Sequence, residues 1–140
     1  MATPEGHLKM SVWYYTVAES NFQSAETSDN LEDKVGYFAL SAQCLLLSTD
    51  HLLGWFTIVD KFTGRFGRRN AFMCHKNIRR LGSDKKEKFL QFFTEIERVR
   101  NRIAYLHSTD LEEVEFISES QLKLLLRRYK NVYSDIRRLR

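Results

Sequence analysis

The sequence has few of the residues that interrupt helices or build disulfide frameworks. Its 140 residues include one proline, Pro4, six glycines and two cysteines, Cys44 and Cys74. So few helix breakers favour an all-α fold over a turn-rich β fold. Two cysteines suggest no disulfide framework, so we expect a reducing, cytoplasmic location. Neither cysteine has a second cysteine or a histidine at metal-ligand spacing, so we expect no metal and no cofactor.

Long hydrophobic runs are also lacking. The most apolar stretch, residues 35–59, is interrupted by Ser48, Asp50 and His51, which argues against a transmembrane helix. The first residues do not show the basic-then-apolar pattern of a signal peptide. Hydrophobic residues still make up 43% of the chain. That content is enough for one core in a single soluble domain covering residues 1–140.

Charge is distributed unevenly along the chain. The net charge of +4 comes from −6 over residues 1–60, +8 over 61–86, −4 over 87–122 and +6 over 123–140. Such segregation is typical of a protein with basic surfaces that bind a polyanion. Solvated helix faces, or opposite charges that meet across a dimer, would give the same pattern.

Apolar periodicity predicts an up-and-down bundle of four main helices plus a short basic connecting helix. The main helices are expected at about 4–22, from 30 to between 48 and 59, from 83 or 84 to 106, and 118–139. The short basic helix is expected at 71–80. Residues 20–30, the basic segment 64–70 and the acidic segment before 118 are expected to be connections. Gly82 is expected to be a left-handed C-cap, and Asp84 and Ser118 are candidate N-caps.

Two polar residues fall on the buried stripe of the third main helix. With Phe89 placed at 0° and 100° per residue, Arg100 lies at about 20° and His107 near 0°. Arg102 lies at about 220° and Tyr105 at about 160°, on the other side of the helix. The buried face of a helix is normally apolar, and exceptions to this pattern occur most often at functional sites.

The two residue types suit one reaction in particular. Histidine can move a proton near neutral pH, and the guanidinium of arginine stays charged and matches phosphate oxygens. Together they suit attack of a ribose 2′-hydroxyl on the neighbouring phosphate without a metal ion. A plain alternative is that Arg100 pairs with a buried carboxylate and that His107 is a helix C-terminal residue favoured by the macrodipole.

The segment from Arg100 to His107 resembles the signature of the HEPN superfamily, whose motif is arginine, four to six residues, then histidine. Six residues separate Arg100 from His107, and Asn101 holds the position where that family often has a polar residue. The apolar helix with Tyr37, Phe38 and Ala42 also looks like the family's central helix. The resemblance covers most of the chain in helix order and length. It implies a helical bundle and metal-independent endoribonuclease activity, with Arg100, His107 and Asn101 as the catalytic residues.

One feature departs from the commonest form of the motif, which has four intervening residues. In that form Tyr105, after Ala104, would occupy the histidine position. Either His107 serves, or the chain is a non-catalytic relative. Arg102 and His107 also have four intervening residues, but on a straight helix they lie about 140° apart, so geometry favours Arg100.

The resemblance further implies a composite active site in a cleft between two protomers of a homodimer. RNA would be held beside it by basic and aromatic side chains. Family members commonly act as toxins or abortive-infection (antiviral defence) nucleases beside a nucleotidyltransferase-like antitoxin, and the resemblance implies such a partner here. The expected RNA-binding residues are Arg65, Arg68, Arg69, Arg79, Arg80, Arg102 and Tyr105.

Two other functions remain open from the sequence. One is a non-catalytic HEPN-like module that binds RNA or protein. The other is a helical interaction protein whose basic patches meet an acidic partner. RNA cleavage in EDTA separates the first alternative from an enzyme, and salt-dependent nucleic-acid binding would count against the second.

Overall fold

The computed structural model describes residues 3–57, 64–106 and 110–140, and these residues form helices and short connections without a strand. The helices are α1 (Pro4–Thr27), α2 (Leu31–Thr57), α3 (Gly64–Cys74), α4 (Lys76–Arg79), α5 (Ser83–Leu106), α6 (Leu111–Ile117) and α7 (Lys123–Leu139). A π-helical turn, Ser118–Leu122, joins α6 to α7 without a break. The expected all-α bundle is therefore confirmed, with α6, the π turn and α7 as its fourth main helix.

The main helices run alternately up and down around α2. Ser11 of α1 and Ser41 of α2 each form a hydrogen bond to the facing helix. The order of these contacts along the two helices shows that α1 and α2 are antiparallel. Tyr15 Oη donates to the carbonyl of Leu126 at 2.8 Å, which fixes α7 against α1. The core is built mainly from the predicted stripes: Val35, Phe38, Ala42, Leu45, Leu46, Leu53, Phe89, Phe92, Phe93, Ile96, Val99, Ile103, Leu122, Leu125, Leu126, Tyr129 and Ile136 are all buried.

The first connection is much shorter than the sequence predicts. Residues 20–27 are helical, because Phe22 and Ala25 are buried against the core while their polar neighbours face outward. Side chains cap the starts of both helices: Thr3 Oγ1 accepts from Gly6 N at 3.0 Å before α1, and Asn30 Oδ1 accepts from Asp33 N at 3.1 Å before α2. The helix α2 continues past residue 50 to Thr57.

The predicted basic loop at 64–70 is also wrong, because these residues form the first turns of α3. Phe72 anchors α3 by edge contacts with Phe56, Phe89 and Phe93 at ring distances of 4.9 to 5.5 Å. The helix breaks at His75, whose side chain caps α4 by accepting from Asn77 N at 3.1 Å. The single short helix expected at 71–80 is thus two helices.

The bounds of α5 agree with the predicted 83 or 84 to 106, but the caps predicted at Gly82, Asp84 and Ser118 differ from the structure. Gly82 does not adopt a left-handed φ, and α5 begins at Ser83, so Asp84 lies inside the first turn and is not the cap. The acidic connection before 118 is largely helix α6, which Asp110 caps by accepting from Glu113 N at 3.0 Å. Ser118 is consequently buried inside a continuous helix and does not begin one.

Candidate functional site

Arg100 lies near the C-terminal end of α5, where the buried stripe borders the surface. Its neighbours Val99 and Ile103 are fully in the core, whereas Arg100 is half-buried. Its Nε is buried and has no hydrogen-bond partner among the described residues. A buried guanidinium N–H without a partner has an unfavourable free energy, because it has lost water and gained nothing in return.

Arg100 lines a surface groove of about 670 Å³ between α2 and α5. Tyr37 and Leu40 of α2 line the same groove and remain 39% and 53% exposed. Glu32 and Asp33 border it at the start of α2. The groove therefore combines uncovered apolar side chains, a half-buried cation and two carboxylates, which is unusual for a surface that faces only water.

Of the other predicted catalytic residues, the structure describes Asn101 but not His107. Asn101 is half-buried, next to Arg100 on α5. His107 lies outside the described residues, so the expected pairing with Arg100 stays a prediction. Tyr105, which occupies the histidine position of the shorter motif, is 76% exposed.

The structure does not gather the predicted RNA-binding arginines into one free surface. Arg68 Nη1 donates to the carbonyl oxygen of Asp50 at 3.0 Å, and Arg69 forms a short ion pair with Glu97. Arg102 is paired with Glu113 at 3.5 Å. These contacts hold α3 against α2 and α5, and α5 against α6. Arg79 and Arg80 are exposed at the end of α4, while the side chain of Arg65 lies outside the described part of the chain.

A pair of histidines that sequence reasoning did not single out lies between α1 and α2. Nδ1 of His7 and Nδ1 of His51 are 3.0 Å apart, so one ring must donate and the other accept. Gly54 leaves the room for His7, since a Cβ at that position would lie 3.2 Å from its ring. The pKa of His51 is lowered to about 4, because burial disfavours the charged form and the positive charges of His7 and Arg68 oppose it.

A second buried polar cluster joins three helices. The hydroxyl of Tyr129 lies 2.6 Å from both Ser11 Oγ and Ser48 Oγ, and Ser48 Oγ also lies 2.6 Å from the carbonyl of Ser11. Burial raises the pKa of Tyr129 to about 12, so the phenol stays protonated and can donate. The sequence signal for this cluster is weak: two serines lie on apolar helix faces, where small hydroxyl residues are common.

The comparisons with known proteins add no further assignment. No family model, curated protein or solved structure matches this chain. Within residues 3–57, 64–106 and 110–140, no three metal-ligating side chains come together. No helix in the same part of the chain is both long and apolar enough to cross a bilayer.

Proposed function

We propose that this chain is a HEPN-like, metal-independent endoribonuclease whose active site forms between two copies. The observation that carries the proposal is Arg100, whose Nε is buried without a partner beside an uncovered apolar groove. A phosphate oxygen is a strong acceptor for this N–H, and a second copy would cover the groove. The segment from Arg100 to His107, which resembles the HEPN signature, supports the choice of this family.

The proposed reaction needs only side chains. His107 would take the proton from a ribose 2′-hydroxyl while the 2′-oxygen attacks the adjacent phosphorus. Arg100 would stabilise the charge that builds on the non-bridging oxygens, with Asn101 as a further donor. The bond from phosphorus to the 5′-oxygen then breaks and that oxygen takes up a proton. The products are a 2′,3′-cyclic phosphate and a 5′-hydroxyl.

The distribution of charge over the bundle supports an antiparallel homodimer. Basic residues predominate at the end where α5 begins and α7 finishes, and acidic residues predominate where α2 begins and α5 finishes. Two copies that pack antiparallel along α2 would bring the basic end of each beside the acidic end of the other. Glu32 and Asp33, which border the groove of Arg100, would then face positive charge.

The biological setting follows from the resemblance and from the free cysteines, Cys44 and Cys74. We propose a cytoplasmic toxin or abortive-infection nuclease that is controlled by a nucleotidyltransferase-like antitoxin. Unpaired cysteines are typical of a reducing compartment.

The test is cleavage of labelled RNA in EDTA by the wild type, Arg100→Ala and His107→Ala, with Arg98→Ala as an exposed control on the same helix. We expect 2′,3′-cyclic phosphate ends from the wild type and the control. Each site variant should lose at least about 100-fold in rate, as is usual when a charge-stabilising donor or a proton-transfer group is removed. Persistent cleavage by both site variants would refute the assignment.

Tyr105 favours a second candidate, a non-catalytic HEPN-like module that binds RNA or protein. Its ring is 76% exposed where the shorter motif has histidine, as expected for a contact residue and not for a general base. This candidate predicts RNA binding that weakens with Tyr105→Ala, without any turnover. Cyclic phosphate ends from a preparation that loses activity with Arg100→Ala would exclude it.

A further inference from the structure

A second groove, of about 710 Å³, lies between the first half of α5 and the last half of α7. Phe89, Val132 and Leu139 line its floor, and Phe89 is only 7% exposed. The groove is separate from that of Arg100, which lies at the other end of α5 and faces α2. The cations that line it are Lys85, Lys88, Arg128 and Arg138, against one carboxylate, Asp135.

The two lysines on the α5 side are available to a ligand. Both are exposed, and neither forms a salt bridge with a described residue. Across the groove, Arg138 is 80% exposed, and its distance to Asp135 is 3.9 Å, which makes a weak pair. Arg128 is paired with Glu95 at 2.8 Å, so the positive charge without a close partner on the two sides of the groove comes mainly from Lys85, Lys88 and Arg138.

The positive surface continues from the groove to the end of α4. Asn77 Nδ2 donates to the carbonyl of Leu139 at 2.6 Å, which fixes α4 against the last turn of α7. Arg79 and Arg80 are exposed next to this contact. A strand that leaves the groove in this direction would meet further cations. By contrast, Arg68 and Arg69 of α3 are bonded within the bundle.

We propose that the α5–α7 groove binds the phosphodiester backbone of single-stranded RNA, and the identification of the polyanion as RNA rests on the proposed function. Backbone binding requires cations whose counterions can be released, and Lys85 and Lys88 supply them. A protein partner would need an accessible apolar anchor site. Phe89 is almost fully buried, so the accessible apolar surface of the groove is limited to the partly buried Leu81, Val132 and Leu139. The groove thus takes a substrate-holding role that the sequence alone assigns in part to Arg65, Arg68 and Arg69.

The experiment measures fluorescence anisotropy of a labelled oligouridine in EDTA, with Arg100→Ala as the background so that turnover does not intervene. Lys85→Glu and Lys88→Glu are combined in one protein. The matched control combines Lys9→Glu and Lys130→Glu, which reverse two exposed charges outside the groove. The groove variant should bind at least about tenfold more weakly. Its slope of log affinity against log salt should fall by about 1.4, the value for two lost phosphate contacts to a single strand.

Each other outcome contradicts the inference. Equal weakening by the groove and control variants would mean that only net charge matters, and an unchanged affinity would mean that RNA binds elsewhere. Competition by poly-glutamate as effective as that by RNA would indicate an acidic protein as the occupant. The proposed function fails separately: if Arg100→Ala cleaves RNA at the wild-type rate while the groove variant alone loses binding, the groove stands and the active site does not.

Discussion

Several buried polar side chains in this bundle are bonded to one another in groups, whereas the Nε of Arg100, like Ser118 Oγ and Gln121 Oε1, has no partner among the described residues. His7 bonds to His51, and Tyr129 bonds to two serines, and each bond joins residues of different helices that are far apart in sequence. Such groups fix the relative placement of helices, because a buried donor that loses its acceptor has a high free energy. The Nε of Arg100 has no described acceptor. Because Arg100 is a cation that lines a surface groove, we look for its acceptor in another molecule.

Removal of the Tyr129 hydroxyl tests the largest of these groups. Tyr129→Phe should lower the free energy of unfolding by about 1 to 2 kcal/mol, because it leaves Ser11 Oγ buried with only a 3.4 Å contact to Ser48 Oγ. Tyr133→Phe is the control, since Tyr133 is only partly buried. Urea denaturation measures the free energy of unfolding of both variants. Equally small decreases in the two variants would show that the hydrogen-bond network of Tyr129 contributes little to stability.

The histidine pair predicts a dependence of stability on pH. His51 has a folded-state pKa of about 4, below the ordinary value of 6.5, so the unfolded state binds the proton more readily. The contribution of His51 is therefore fully present above pH 6.5 and is lost as the pH falls towards 4. The midpoint of thermal unfolding should fall over this range in the wild type. His51→Gln should show a shallower decline, and an identical decline in both proteins would contradict this account.

At the scale of elements, the π turn marks the point where the sequence predicts the start of the fourth main helix, although that helix is continuous with α6. Val114 and Ile117 lie on one stripe, and Leu122 and Leu125 continue it after a shift of one residue. A constant α-helical period predicts that the helix is interrupted at this shift, although the backbone stays helical through Ser118–Leu122. Ser118 Oγ and Gln121 Oε1 are buried at this turn with no partner among the described residues.

This geometry predicts that one residue can be removed from the π turn. Deletion of Ser120, which is exposed, should restore a regular α-helix with Val114, Ile117, Leu122 and Leu125 still on one face. The deletion should lower the free energy of unfolding by no more than about 1 kcal/mol, as is usual for a change at the surface. Deletion of Lys130 from α7 is the control. It rotates the last turns by about 100° and should abolish cooperative thermal unfolding. Similar melting of both deletions would contradict the assignment of the turn.

Helix α3 is a second element whose start the sequence does not predict. Gly64, Gly67 and three consecutive basic or polar residues at 68–70 suggest a loop, yet the chain is helical from Gly64 to Cys74. Their helix depends on tertiary contacts, namely Phe72 in the core and the ion pair of Arg69 with Glu97. Intrinsic propensity is weak enough for such packing to override it.

At the scale of the whole molecule, the sequence predicted the bundle and placed Arg100 on the buried stripe of its third main helix, but it did not predict the groove that Arg100 lines. The apolar stripes define which faces are buried, and they do not show which second face stays uncovered. Tyr37 and Leu40 lie on α2 opposite its buried stripe, and only packing reveals that no described element covers them. The location of His107 relative to Arg100 stays a prediction.

The uncovered face of α2 predicts a homodimer that one charge can break. Leu40→Glu should weaken self-association by more than about tenfold, because the dimer would bury a carboxylate in an apolar contact. Leu124→Glu is a matched control: Leu124 is 52% exposed against 53% for Leu40, and it does not line the groove of Arg100. Sedimentation equilibrium measures both, and circular dichroism should show the same helicity in each protein.

The most direct test of the composite site is the rate of RNA cleavage in EDTA by Leu40→Glu and Leu124→Glu at one protein concentration. If the active site forms between two copies at the α2–α5 face, the folded Leu40→Glu monomer forms no cyclic phosphate ends, while Leu124→Glu cleaves like the wild type. Cleavage by monomeric Leu40→Glu at the wild-type rate would contradict the account.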